Sequence, residues 1–155
     1  MPLSWTLRPC LDTDGPWIAE LRAVVLRHDL ERLGRFDPVR VRRRFLDQFR
    51  PELTQVIDFD GLNAGSISVR PEPGAQWIEH FYLEPAFHRQ GIGGEVLRQV
   101  MAMFGDQQPF RLNVLQGSAA RRLYERHGFV VESEDRVDVF MARGMLGLPD
   151  REARC

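Results

Sequence analysis

WIEHFYLEPAFHRQGIGGEVLRQVM, residues 77–101, is the stretch on which the reading of this chain turns. An apolar run that fits a strand stops at Pro85. A short basic turn carries Gly91, Gly93 and Gly94, after which Val96, Leu97, Val100, Met101 and Phe104 recur at the spacing of one helix face. Strand, glycine turn and helix start in that order set out a nest of free backbone N–H groups, reinforced by the positive end of the helix dipole. Such a nest binds an anion, most often a phosphate. A phosphorylated cofactor is therefore expected.

The flanking sequence supplies the elements around this unit. Residues 4–8 alternate weakly and read as a first strand. Trp17, Ile18, Leu21, Val24, Val25 and Leu30 recur at helical spacing, with Asp14 as a plausible N-cap and Pro16 in the first turn. A second helix starts near Pro38, shows Val41, Phe45 and Phe49 on one face, and stops before Pro51. Residues 55–59 and 62–69 flank Asp60-Gly61, a strong hairpin signal. Residues 77–83 form the next strand and about 91–104 the next helix. Residues 110–115 then read as a strand, 118–127 as a helix, and 129 onward as one or two closing strands. The expected order is β-α-α-β-β-β-α-β-α-β-β, a mixed sheet with helices packed on it.

Composition narrows the chemistry. The chain has 155 residues, enough for one domain with a real core. A net charge of −1 gives no reason to expect nucleic acid as the main partner. All 21 basic residues are arginine. Without lysine there is no Schiff-base chemistry and no P-loop. No apolar run approaches a membrane span, and the first residues do not read as a signal peptide. Cys10 and Cys155 stand at opposite ends, which suggests a reducing compartment and a cytoplasmic location. The four histidines show no metal-ligand spacing, so no metal is expected.

Two layouts compete for the glycine turn. A dinucleotide-binding G-x-G-x-x-G begins with Gly91-Ile92-Gly93, but Val96 holds the third glycine position. The turn also lies several residues past the strand, and no acidic residue about 20 positions on closes a second strand. The second layout is His88-Arg89-Gln90-Gly91-Ile92-Gly93, which resembles the acetyl-coenzyme A loop of the GNAT superfamily of N-acetyltransferases. That pattern is Gln or Arg, two variable residues, Gly, one variable residue, then Gly or Ala; His88 stands where the family has Gln or Arg.

Residues 112–129, LNVLQGSAARRLYERHGF, resemble the family's second signature: a strand, an Asn-x-x-Ala helix start, then Leu-Tyr-Glu-x-x-Gly-Phe. Ser118 replaces the usual Asn and is still a good N-cap. Arg8-Pro9 before the first helix and Asp60-Gly61 between two strands fit the same layout, so the resemblance covers nearly the whole chain.

It implies an α/β (α+β) fold, a mixed, mostly antiparallel twisted sheet of six to seven strands flanked by about four helices. Residues 1–147 would form one domain and 148–155 a tail. It further implies acetyl-CoA as cofactor, contacted by Leu83, His88, Arg89, Gln90, Gly91, Ile92, Gly93, Gly94, Ser118 and Arg121.

The implied reaction is direct attack of an amine on a thioester. An amine of pKa near 10.4 is mostly protonated at pH 7, which costs about 4–5 kcal/mol before attack. A base that removes the proton helps, and the departing thiolate takes one from an acid.

Glu79 is the candidate base. Alternation places it with Trp77, Phe81 and Leu83 on one strand face, where apolar neighbours are expected to raise its pKa, and it matches the family's position. The competing role is an ion pair with Arg70 or Arg111. His80 points to the other face, to pack or hydrogen-bond there.

Tyr124 is the candidate acid, from the family's tyrosine position; its competing role is core packing beside Phe129. Asn113 stands on the strand where ribosomal-protein N-terminal acetyltransferases carry Glu, which weakens a protein-N-terminus acceptor. The run Arg40, Arg42, Arg43, Arg44 is a solvated helix face or, bordering the acceptor pocket, favours an acidic acceptor.

The leading expectation is an acetyl-CoA-dependent N-acetyltransferase for a small-molecule amine, working as a monomer or homodimer without nucleic acid or membrane. The alternatives are an acetyltransferase for protein N-termini or side chains, and a non-catalytic acyl-CoA-binding module.

Overall fold

Asp60 and Gly61 adopt φ of +52° and +87°, the pair of left-handed residues that a two-residue hairpin needs to match strand twist. Asp58 supports the turn by accepting from the Gly61 N–H at 2.8 Å. This hairpin joins β2 (Thr54–Phe59) to β3 (Leu62–Glu72), antiparallel from Phe59↔Leu62 inward.

In the computed structural model residues 4–105 and 107–144 are described. The remaining elements are β1 (Trp5–Pro9), α1 (Gly15–Arg32), α2 (Pro38–Gln48), β4 (Ala75–Leu83), α3 (Ile92–Phe104), β5 (Phe110–Leu115), α4 (Ala120–Arg126), β6 (Val130–Glu134) and β7 (Asp138–Arg143). The strands form a seven-stranded sheet in the order β1-β2-β3-β4-β5-β7-β6. β4 pairs in parallel with β5 at Gln76↔Phe110 and Trp77↔Arg111, while β1–β2, β2–β3, β5–β7 and β6–β7 are antiparallel. The α/β class and the element order are as the sequence leads one to expect. Residues 148–155 and Cys155 lie outside the described residues.

The described residues fall into two compact units, residues 4–69 with Glu79–Ile92, and Arg70–Ile78 with the described residues from Gly93 to 144. In the first, Ile18, Leu21, Phe45, Val56 and Tyr82 make a buried cluster, with Trp17, Val25, Leu26 and Phe49 packed on it. In the second, Val96, Leu97, Val100, Phe110, Leu112, Phe129 and Met141 are buried. Cys10 is a buried free thiol, and burial chiefly pushes its pKa up to about 12, so it carries no nucleophile at neutral pH.

Local chemistry accounts for the ends of α2. Asp37 accepts from the Val39 and Arg40 N–H groups and Pro38 occupies the first turn. Three expectations need correction. Asp14 makes no side-chain cap on α1; its carboxylate instead takes both Arg8 nitrogens, the Leu11 N–H and the Trp17 indole N–H. An ion pair with Arg8 outcompetes a single capping bond. Helix α4 starts at Ala120, two residues after Ser118, although the Ser118 hydroxyl still accepts from the Ala120 N–H at 3.1 Å. β3 and β4 run longer than expected, to Glu72 and from Ala75, because Pro71 and Pro73 read as strand breakers while Gly74 at φ +81° closes a tight turn.

Candidate functional site

Strand β4 departs from regular alternation at its centre. His80 sits at φ +49°, a left-handed value that a non-glycine residue adopts at a cost of order 1–3 kcal/mol. Two residues of β3 flank this distortion. The fully buried Ser66 donates its hydroxyl to the His80 carbonyl at 2.8 Å. Gly65 lets the Tyr82 backbone come close: a Cβ there would lie 2.1 Å from the Tyr82 oxygen. The buried positions of β4 are Ala75, Ile78 and Tyr82, so strict period-two alternation does not hold along the strand. Glu79 is half-buried beside the distortion.

The His80 ring meets Phe45 edge-on at 4.9 Å and 89°, and its Nδ1 lies 3.1 Å from the Tyr82 hydroxyl. It thus packs and hydrogen-bonds as expected of that position. Burial, first, pushes the Tyr82 phenol up to about 12; Arg22 opposes the shift by charge and hydrogen bonding, and Glu79 adds to it. Tyr82 is consequently a neutral O–H over the whole working range. Arg70 and Arg111, the suggested partners of Glu79, pair with Glu72 and Glu132 respectively.

The turn after β4 presents backbone. The Leu83 carbonyl receives the His88 Nε2 at 2.7 Å; a carbonyl only accepts, so Nε2 carries the proton. The Gln90 amide donates to the Ala86 carbonyl at 2.9 Å. Arg89 and Gly91 both lie in the left-handed region, at φ +64° and +82°. Alternating handedness of this kind turns successive N–H groups toward one concavity. No atom lies within 4 Å of where a Gly91 Cβ would stand, so the concavity is open there.

Helix α3 then begins at Ile92, which is fully buried, leaving the N–H groups of Gly91, Ile92, Gly93 and Gly94 without helical partners. A phosphate group fits this donor set. Arg89 and Gln90 are exposed on the same turn.

Around the start of α3 in its own unit, the His127 ring stands 3.2 Å from a Gly94 Cβ position and Leu123 stands 3.6 Å from that of Gly93. Tyr124 on α4 is 6% exposed, its ring edge toward Phe129 at 5.6 Å. Arg121 pairs with Glu125 at 3.1 Å. Asn113 donates to Asp138 at 2.8 Å. On α2, Arg42 is bound to Glu20 through two nitrogens, whereas Arg40, Arg43 and Arg44 are exposed. Among the described residues no cluster of His, Cys, Asp or Glu fits a metal, and no helix is long and apolar enough to cross a membrane.

Ser66, Arg22 and Tyr82 did not stand out in the sequence. The signal available was Gly65-Ser66, small residues in the middle of a strand, where glycine marks close backbone approach.

A family model described as an acetyltransferase (GNAT) domain matches residues 50–131, which hold β4, the glycine turn and α4. No curated protein sequence matches the chain. Among solved structures it is similar to PaiA N-acetyltransferase of Thermoplasma acidophilum in complex with coenzyme A. The TM-score is 0.74 at 18% identity, covering 92% of this chain and 99% of that one. It is also similar to the ribosomal-protein-S18-alanine N-acetyltransferase of Escherichia coli, with TM-score 0.70 at 18% identity over 90% and 92% of the two chains. N-acetylglutamate synthase of Neisseria gonorrhoeae with coenzyme A and N-acetyl-glutamate follows at TM-score 0.66 and 17% identity, over 92% of this chain and 35% of that one. At these identities the likeness is one of fold.

Proposed function

Because the chain belongs to the GNAT acetyltransferase family, whose enzymes draw on acetyl-CoA, we propose that it acetylates a primary amine of a small molecule, with Glu79 as base and Tyr124 as acid. The observation that carries this reading is the turn after β4, where left-handed Arg89 and Gly91 lead into the free N–H groups of α3 inside the matched segment.

Acetyl-CoA supplies the thioester-linked acetyl group. Backbone N–H groups of Gly91, Ile92, Gly93 and Gly94 hold its phosphates, with Arg89 adding charge and Leu83 offering strand backbone to the pantetheine arm. His88, Gln90, Ser118 and Arg121 complete the contacts. Glu79 takes the proton of the acceptor's ammonium, directly or through a water, and Tyr124 gives its hydroxyl proton to the departing sulfur. A small acceptor is favoured over a protein N-terminus by Asn113, whose amide cannot act as a base on β5.

Acetyl-CoA is expected to raise the melting temperature, and absence of a shift at saturation contradicts the assignment. Glu79→Gln is expected to lower kcat about 100-fold at pH 7, with the deficit shrinking at high pH where the amine is already deprotonated. An unchanged pH–rate profile removes Glu79 from the mechanism. Tyr124→Phe keeps the packing against Phe129 and is expected to lower kcat at least about tenfold with acetyl-CoA affinity intact. A variant with full turnover leaves Tyr124 a core residue only.

A further inference from the structure

His88 is exposed, yet its Nε2–H is committed to the Leu83 carbonyl at 2.7 Å, which closes the turn after β4 back onto the end of the strand. The first half of that turn is anchored on neighbouring strands of the same unit. The Glu84 N–H donates to the Ala64 carbonyl of β3 at 2.7 Å, and the Phe87 ring lies against Phe59 of β2 with centroids 4.8 Å apart. From His88 on, the ties are side chain to backbone: His88 to Leu83, and the Gln90 amide to the Ala86 carbonyl at 2.9 Å.

This second half holds a conformation that relaxes if released. Arg89 stands at φ +64°, which a residue with a Cβ adopts only at a cost. A return to right-handed values would rotate the peptide units on either side of it. The alternation through Arg89 and Gly91 is what turns N–H groups toward one concavity, so that rotation would take the nest apart. A hydrogen bond from the residue just before Arg89 to the strand end opposes it.

His88 also stands where the family pattern has Gln or Arg. The three side chains do not share a charge, since Gln is neutral. They share N–H donors at comparable reach. The donor is therefore the property they have in common, and in this chain it goes to a carbonyl of the chain itself.

We propose that His88 is a positioning residue for acetyl-CoA: by tying the turn to Leu83 it keeps Arg89 and Gly91 in the left-handed conformations that aim backbone N–H groups at the cofactor's phosphates. The proposal rests on the N-acetyltransferase reading above and changes the part of His88 in it, which serves the cofactor through the backbone it fixes and not through its own ring.

Two amide variants of the full chain test this. The Gln amide nitrogen matches the reach of the ring Nε2, whereas the shorter Asn amide stops near the ring Nδ1 and misses Leu83. In calorimetry with acetyl-CoA, His88→Asn is expected to bind about five- to tenfold more weakly and His88→Gln within about twofold of wild type, the loss being that of one hydrogen bond. Without cofactor the melting temperatures are expected to coincide, because the side chain is exposed. The kcat at saturating acetyl-CoA is expected to stay unchanged. Nitrogen-15 spectra of the wild-type imidazole are expected to show a hydrogen-bonded Nε2–H both before and after acetyl-CoA is added.

Wild-type affinity in His88→Asn overturns the proposal. Equal weakening in both variants does so too, as does an Nε2 signal that changes on binding, because either makes the ring a direct contact. A drop in cofactor-free melting temperature confined to His88→Asn makes the tie a general stabiliser and also overturns it. If the Gln–Asn difference appears but no amine is turned over, the tie stands and the catalytic reading falls. If wild type does not bind acetyl-CoA, both fall.

Discussion

Gly65→Ala is expected to destabilise the protein by about 3 kcal/mol or more, at the upper end of what overpacking costs. The added Cβ would lie 2.1 Å from the Tyr82 oxygen and 3.1 Å from both the Tyr82 carbonyl carbon and the Leu83 Cα. All three are backbone atoms, so no side chain can rotate out of the way. Strand β4 would have to move off β3, taking with it the carbonyl of His80 that Ser66 holds. The cost is steric and not conformational, because Gly65 does not sit in the left-handed region. Urea unfolding of wild type and variant measures it directly. A variant within about 1 kcal/mol of wild type would show that β4 does not approach β3 this closely.

Asp14→Ala is expected to cost about 3 kcal/mol, the lower end for breaking a buried ion pair, because the Arg8 side chain is 31% exposed and water can partly solvate it afterwards. Asp14 itself is 5% exposed and accepts four hydrogen bonds. Its loss orphans the Leu11 N–H and the Trp17 indole as well as the Arg8 charge.

The same pair makes stability depend on acid. The Arg8 hydrogen bond, first, holds the Asp14 carboxyl well below the usual carboxylate range, helped by the Leu11 and Trp17 donors against the effect of burial. A depressed folded value means the contribution is complete above the unfolded value of about 3.9 and is lost as pH falls below it. The stability gap between wild type and Asp14→Asn is therefore expected to narrow between pH 6 and pH 3. A gap that stays constant across that range would mean that Asp14 does not titrate as an ion-paired carboxylate.

The glycine turn and the order of elements were legible because the signals are local. An apolar run stopped by Pro85 and a 3.6-residue repeat separate β4 from α3, Asp60-Gly61 closes a tight hairpin, and Pro38 after Asp37 opens a helix. The same locality misled at Asp14, where a capping residue in good position was taken over by an arginine six positions upstream. It misled again at residues 70–76, where prolines masked the ends of β3 and β4.

Sequence by itself thus determined the α/β architecture, the glycine turn at residues 88–94 and, through two signatures, the family and its cofactor. Only tertiary structure decided that β4 is distorted at His80, that Gly65 and Ser66 flank the distortion, and that Arg22 of α1 donates to the Val41 carbonyl of α2. The reason is distance along the chain. Ser66 and His80 are 14 residues apart, and Arg22 and Val41 are 19 apart, so no repeat or cap records their meeting. Backbone periodicity writes itself into neighbouring residues, whereas the partners of a buried polar group are chosen when the elements pack.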